Sequence, residues 1–284
     1  RSRWKIGKAE KVATAGSCFA QHISRTLQQS GFNYFVAESA AGLLPEEAVV
    51  RQFGVFSARY GNLYTARQLV QLFDRAYGYF SPAEQAWRRP DGRYVDPFRP
   101  QVEPAGFASA AEADAARDVH LKAVRRLFEE MDVFVFTLGL TECWECVEDG
   151  AAYPLAPGVV ASSFDPAKHR FVNFSVREVI EDIRAIVRRL RSINSAVRLL
   201  FTVSPVPLIA TFEDRHVLVS TVESKSVLRA AIAQVVGEDD SVDYFPSYEI
   251  ITGQHARGAY FASDLRSVTD AGVAQVMGLF MKHY

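Results

Sequence analysis

The 284-residue sequence predicts an α/β fold: a three-layer sandwich built on a five-stranded parallel sheet. Short apolar runs recur along the chain, each bounded by turn residues, as strands buried on both faces require. Segments of helical period separate them, which is the βαβ alternation of a parallel sheet. Each run also ends in small or polar residues. Right-handed crossovers bring all those exits to one edge of the sheet, where ligands of such folds bind.

The first run, Val12-Ala13-Thr14-Ala15-Gly16, leads into a helix carrying Phe19, Ile23 and Leu27 on one stripe. Residues 31–36 read as the second strand, and residues 37–59 show no clean pattern. Tyr60 to Thr65 lead into a helix through Leu69, Leu72 and Phe73. A helical period then runs from 111 to 131 and shares its inward stripe with His120. Asp132 to Leu138 is a continuous apolar run, the pattern of a central strand. Ser175-Val176-Arg177-Glu178 is a capping box opening the next helix. The fourth strand, 197–203, exits through Ser204 to Pro207, and Ser224 opens a helix. The fifth strand begins at Val242, and a last helix runs from about Val268.

The whole chain, 1–284, reads as a single domain with irregular excursions at about 81–110 and 147–174. A loop of such length inside a compact domain is usually functional or disordered. The aromatic content of the first excursion argues that it packs over the cleft, with Arg99 as a substrate-binding candidate. Hydrophobic residues make up 49% of the chain and the formal net charge is −1, so nothing points to nucleic acid or an anionic surface. No apolar run reaches the length of a membrane span. Cys18, Cys143 and Cys146 are too few and odd in number for a disulfide framework, which favours reduced thiols and a cytoplasmic setting.

Ser17 stands in the turn between first strand and first helix. There its hydroxyl either caps the helix or faces a cleft alongside free helix N–H groups, as a nucleophile needs. His120, on an inward helical stripe, reads as a core histidine rather than a catalyst. Cys143-Trp144-Glu145-Cys146 suggests a redox pair at a helix start or half of a metal site completed by Cys18 and a histidine. No second spaced pair supports the metal form.

The string Gly16-Ser17-Cys18-Phe19-Ala20 resembles the signature of the GSCFA domain family, which itself resembles the SGNH (GDSL-like) hydrolases. The likeness extends along most of the chain, through the Gly61 turn, Thr137 to Glu142, Thr202 to Val206 and Tyr244 to Glu249. It implies a flavodoxin-like strand order and a serine machinery for breaking or making an ester. Ser17 would be the nucleophile, with Ser17, Gly61 and Thr141 around the oxyanion. Thr141 stands where the SGNH enzymes carry asparagine, so its shorter reach weakens that role. The substrate implied is a small-molecule or carbohydrate ester, such as a cell-envelope intermediate, with no cofactor and no metal.

The sequence departs from the family pattern at the base. The Asp-x-x-His segment reads Asp264-Leu265-Arg266-Ser267, so the aspartate is present and the histidine is replaced by Ser267. General-base help is worth about 10²–10⁴-fold, and a serine cannot supply it. His255, in the same loop, is the preferred replacement, with His216, His120, Lys225 or Glu142 as others and Cys18 as an alternative nucleophile. Arg266 and Arg99 near the oxyanion donors would favour a carboxylate or phosphate on the substrate, and Glu142 is a further contact. The rivals to an ester hydrolase or acyltransferase are a glycan-binding module on a degenerate scaffold and a cysteine or metal site.

Overall fold

The computed structural model describes residues 2–284. Its strands are β1 (Val12–Gly16), β2 (Trp87–Arg88), β3 (Tyr94–Val95), β4 (Val133–Leu138), β5 (Glu142–Cys146), β6 (Ala152–Tyr153), β7 (His169–Asn173), β8 (Arg198–Val203) and β9 (Val242–Phe245). The helices are α1 (Ala20–Gln29), α2 (Pro45–Val50), α3 (Ala66–Ala76), α4 (Ala110–Glu130), α5 (Val176–Ile193), α6 (Val217–Val236), α7 (Ser247–Thr252) and α8 (Asp270–His283). No described helix is long and apolar enough to cross a membrane.

Four strands, not five, form the central parallel sheet, in the order β1-β4-β8-β9. The expected second strand survives as a single parallel bridge from Tyr34 to Val12. It goes no further because the chain turns away and other groups take its partners. The Thr14 N–H donates to Ser57 Oγ (2.9 Å), and the Thr14 carbonyl accepts from the Tyr60 hydroxyl. That bridge lies on the free side of β1, at the edge of the four-stranded sheet.

The registers align the strand exits. Gly16 lies opposite Thr137, Thr137 opposite Thr202, and Thr202 opposite Phe245, so all four strands end at one rim. Along β4 the side chains alternate between two cores. Phe134, Phe136 and Leu138 join Ala13, Ala15, Leu199 and Phe201 in the larger core, beneath α3, α4, α5 and α6. Val133 and Val135 join Val12, Leu200 and Phe245 beneath α1, α7 and α8. This two-residue alternation on a strand buried on both faces is why the sequence reads as a continuous apolar run.

Capping chemistry sets the helix starts that the sequence marks. Ser175 Oγ accepts from Glu178 N, and the Glu178 carboxylate accepts from Ser175 N, closing the capping box of α5. Thr65 and Gln68 do the same for α3. Helix α6, by contrast, begins at Val217, seven residues before Ser224, with His216 as its cap. The β-branched opening, Val217 to Val222, hides the helix in the sequence because such residues favour strands.

The two excursions build their own sheets. Residues 81–110 carry the β2–β3 hairpin, and β6, β5 and β7 form an antiparallel three-stranded sheet. Cys143 and Cys146 therefore lie on a strand, not at a helix start. Three residues apart, they face opposite sides: Cys143 enters the main core and Cys146 a satellite cluster with Trp87 and Tyr153. One redox centre or metal ion cannot engage both. Among the described residues no group of three or more histidine, cysteine or carboxylate side chains is arranged to hold a metal.

Candidate functional site

A cleft of about 350 Å³ opens at the rim where the strands end. Its lining includes Ser17 and Cys18 after β1, Gly139 and Leu140 after β4, Ser204 and Val206 after β8, and Arg266 from the last loop. Tyr64, ahead of α3, completes that end.

Gly16 creates the bend that delivers Ser17. Its φ is +133°, and a side chain there would place a Cβ 2.3 Å from the Thr137 carbonyl oxygen, so only glycine fits. The Ser17 N–H donates to that same carbonyl (3.0 Å), and the Ser17 carbonyl accepts from Ala20 N (2.9 Å) as α1 begins. The helix-cap position belongs to Phe19, and no side chain caps the helix. Ser17 Oγ is buried and has no hydrogen-bond partner, so the capping role does not apply. Among the described residues the N–H groups of Cys18 and Phe19 likewise lack an acceptor.

Gly139 approaches from β4. A Cβ at this position would lie 3.1 Å from Ser17 Cβ and 3.0 Å from the Tyr64 ring. Behind it, Lys225 of α6 is 1% exposed, and its Nζ donates to the Gly139 carbonyl at 2.5 Å. No carboxylate among the described residues pairs with Lys225. Burial pushes its pKa down to about 7, Arg266 acts in the same direction, and Cys18 opposes. The helix reads as ordinary in the sequence, where Lys225 stands only as one of several substitute bases. Its flanking serines are the available signal: Ser224 Oγ accepts from Thr141 N, which fixes this turn of α6 against the β4 exit.

The other expected site residues are scattered more widely. Gly61 adopts φ +66°, and its turn is tied to β1 through Leu63 N to the Gly16 carbonyl (2.9 Å). It lines a smaller hollow with Asn62 and Arg99, which shares Tyr64, Pro154 and Leu155 with the cleft. Thr141 lies outside the cleft lining, its hydroxyl donating to Asn173 Oδ1 (2.7 Å). Glu142 does line the cleft, where burial raises its pKa, and its carboxylate accepts from Thr211 (2.6 Å).

Arg99 is buried rather than spread over the cleft: Nε pairs with Asp96 (2.9 Å) and Nη1 lies 3.8 Å from Glu38. None of the cleft lining comes from 81–110. The second excursion supplies that wall instead, through Tyr153 to Ala156, Val159 and Phe171. Arg266 is in the lining, and its Nε is buried without a partner.

Asp264 is exposed and accepts from the Ser267 hydroxyl (2.5 Å) and from the N–H groups of Arg266 (2.9 Å) and Ser267 (2.8 Å). The Ser267 hydroxyl, followed by those backbone groups, holds its pKa at about 2. His255 is exposed on the 3₁₀ turn Gln254–Ala256 and makes no hydrogen bond with Asp264. None of the six histidines lines the cleft. His120 is buried in the core as its stripe predicts, with Nδ1 2.7 Å from Glu38 Oε2, and His216 caps α6.

A parallel sheet with an unpaired serine at its C-terminal rim, a glycine packed against that serine and Arg266 in the lining defines an α/β protein with a rim cleft. The GSCFA family profile matches residues 11–280, and the chain belongs to the GSCFA family. Comparison with curated protein sequences returns no match. Among solved structures the chain is similar to a family 3 carbohydrate esterase of Clostridium thermocellum, at 9% identity over 97% of this chain and 95% of that one, with a TM-score of 0.40. It is also similar to an acetyl xylan esterase (Est2A) of the rumen bacterium Butyrivibrio proteoclasticus, at 10% identity over 98% of this chain and 64% of that one, with a TM-score of 0.34.

Proposed function

We propose that the protein is an ester hydrolase or acyltransferase of the SGNH type, acting through Ser17. The observation that carries this reading is the buried, unpartnered Ser17 hydroxyl in the lining of a rim cleft. A polar group held without a partner is costly unless a ligand or a reaction uses it.

In this reading Lys225 stands in for the missing histidine. Its Nζ is bonded to the carbonyl of Gly139, the residue packed against Ser17, its pKa is pushed down to about 7 by burial, and a general base can act through one water. The amine takes the Ser17 proton as Oγ bonds to the ester carbonyl carbon, and the carbonyl electron pair moves onto oxygen. The unpaired N–H groups of Cys18 and Phe19 are the donors offered to that oxyanion. Collapse breaks the bond to the leaving alcohol, which takes the proton back from the lysine ammonium. Water attack then releases the acid, or an acceptor alcohol takes the acyl group. A base drawn from His255, with Asp264 behind it, would instead require residues 253–267 to fold over the cleft.

Arg266 suits an anionic group on the substrate. The three free cysteines suit a reducing, cytoplasmic setting. A ligand-binding module on the same scaffold is the second reading, favoured by the absence of any histidine from the cleft lining. The pH dependence of aryl-ester hydrolysis separates them. Wild-type turnover that rises through neutral pH and is lost in Lys225→Met supports the lysine-assisted enzyme. Turnover lost in His255→Ala but kept in Lys225→Met assigns the base to the loop. No turnover in any form supports the binding module.

A further inference from the structure

We infer that the wall of the cleft facing Ser17 is an acyl-chain channel, and that the preferred substrate is an ester of a medium-length straight-chain fatty acid. This rests on the Ser17 reading and names the substrate class of that same site. The wall is an aromatic cluster drawn from three separate segments. Trp144 of β5 packs edge-on against Phe212 (4.7 Å between centroids) and Phe171 of β7 (5.8 Å). Val159, Leu155, Leu208 and Ile209 continue the apolar surface.

Ile209 is 78% exposed, Val159 66% and Phe212 63%. Three large apolar side chains left in water around one cavity mark a surface meant to be covered. Their position in the same cleft as Ser17 makes the acyl part of its ester the occupant.

The polar groups in the lining argue the same way, because most are already committed. Glu142 accepts from Thr211, Gln68 Oε1 from the Tyr64 N–H (2.8 Å) and Ser204 Oγ from the Val206 N–H (3.3 Å). A sugar ring against this wall would leave its hydroxyls without partners, which is costly, whereas an alkyl chain needs none. The two lining side-chain atoms buried without a partner, Ser17 Oγ and Arg266 Nε, belong to the reacting end of the substrate.

The test is a chain-length series of p-nitrophenyl esters from acetate to decanoate on the full chain. The expected rise in kcat/KM is roughly fourfold per added methylene until the channel is filled. Ile209→Glu and Val159→Glu, at exposed positions where folding tolerates a charge, should flatten that series, read as the ratio of octanoate-ester to acetate-ester kcat/KM. A second readout needs no chemistry: in Ser17→Ala, octanoate should perturb tryptophan fluorescence where acetate does not, and Ile209→Glu should abolish the change. Acetate hydrolysed as well as octanoate, with no octanoate-dependent fluorescence change, overturns the channel while the Ser17 reading stands. Octanoate binding without hydrolysis of any ester supports the channel and overturns the enzyme reading. Neither hydrolysis nor binding overturns both.

Discussion

The ammonium group of Lys225 donates a 2.5 Å hydrogen bond to the carbonyl of Gly139, the residue packed against Ser17. A buried amine with a backbone carbonyl as its partner and no counter-ion is poorly stabilised in its charged form. Its folded pKa, about 7, lies below the ordinary 10.5, so between those values the unfolded chain binds more protons. Stability from this group is therefore fully present only above pH 10.5 and is lost as pH falls to about 7. Lys225→Met keeps the volume and removes the charge. Its melting temperature should exceed that of the wild type at mildly acidic pH, with the gap closing as the solution becomes alkaline. Thermal scans across pH check this, and a gap independent of pH contradicts the assignment.

Gly16→Ala is expected to be severely destabilising. The new Cβ meets backbone atoms of Thr137, which cannot swing aside as a side chain would, and φ +133° is a conformation other residues avoid. A loss of about 2 kcal/mol or more is expected from strain of this kind. Denaturant unfolding measures it, and a wild-type midpoint would mean that β1 does not end as described.

His120 is a structural residue, and its loss should not touch the chemistry. Burial and the nearby Arg99 push its pKa down to about 4, so the ring stays neutral and donates to Glu38. His120→Leu leaves Glu38 with the Arg59 N–H (2.8 Å) and two more distant guanidinium groups. Removing one partner of a buried charge costs about 3–5 kcal/mol. The variant should melt earlier, and whatever fraction remains folded should hydrolyse esters with an unchanged pH profile.

Thiol chemistry should discriminate sharply. Cys18 is exposed in the cleft lining; Cys143 also borders the cleft but is buried, as is Cys146. Burial also pushes the Cys143 thiol far up, away from the reactive thiolate. Iodoacetamide should modify Cys18 alone in the native protein and block access to Ser17. Peptide mapping with and without denaturant checks this, and native labelling of Cys143 would contradict the fold around β5.

Local patterns made the scaffold legible. Continuous apolar runs announced β1, β4 and β8, and the capping box at Ser175 announced α5, because these signals lie within one element. The second strand is not legible as a single bridge because the β1 groups it would pair with, the Thr14 N–H and carbonyl, are taken by the Ser57 hydroxyl and the Tyr60 phenol, both far along the chain. Trp144, Phe171 and Phe212 form one wall only after three segments meet, and no spacing in the sequence records that. Lys225 stands in the sequence among the substitute bases, but its burial is not legible there: a lysine on a helix is ordinarily exposed, and only the tertiary fold closes over this one. Arg99 shows the reverse error, since a loop rich in arginine and aromatics turned out to bury its arginine against Asp96 rather than present it to a ligand.

Ser17 as a nucleophile facing an accessible cleft is put to the test by covalent labelling with an alkyl fluorophosphonate followed by peptide mapping. One adduct is expected, on Ser17, absent from Ser17→Ala and forming faster as the pH rises through neutrality. An adduct that persists in Ser17→Ala, or a wild-type protein that stays unlabelled at both neutral and alkaline pH, would contradict that role for Ser17.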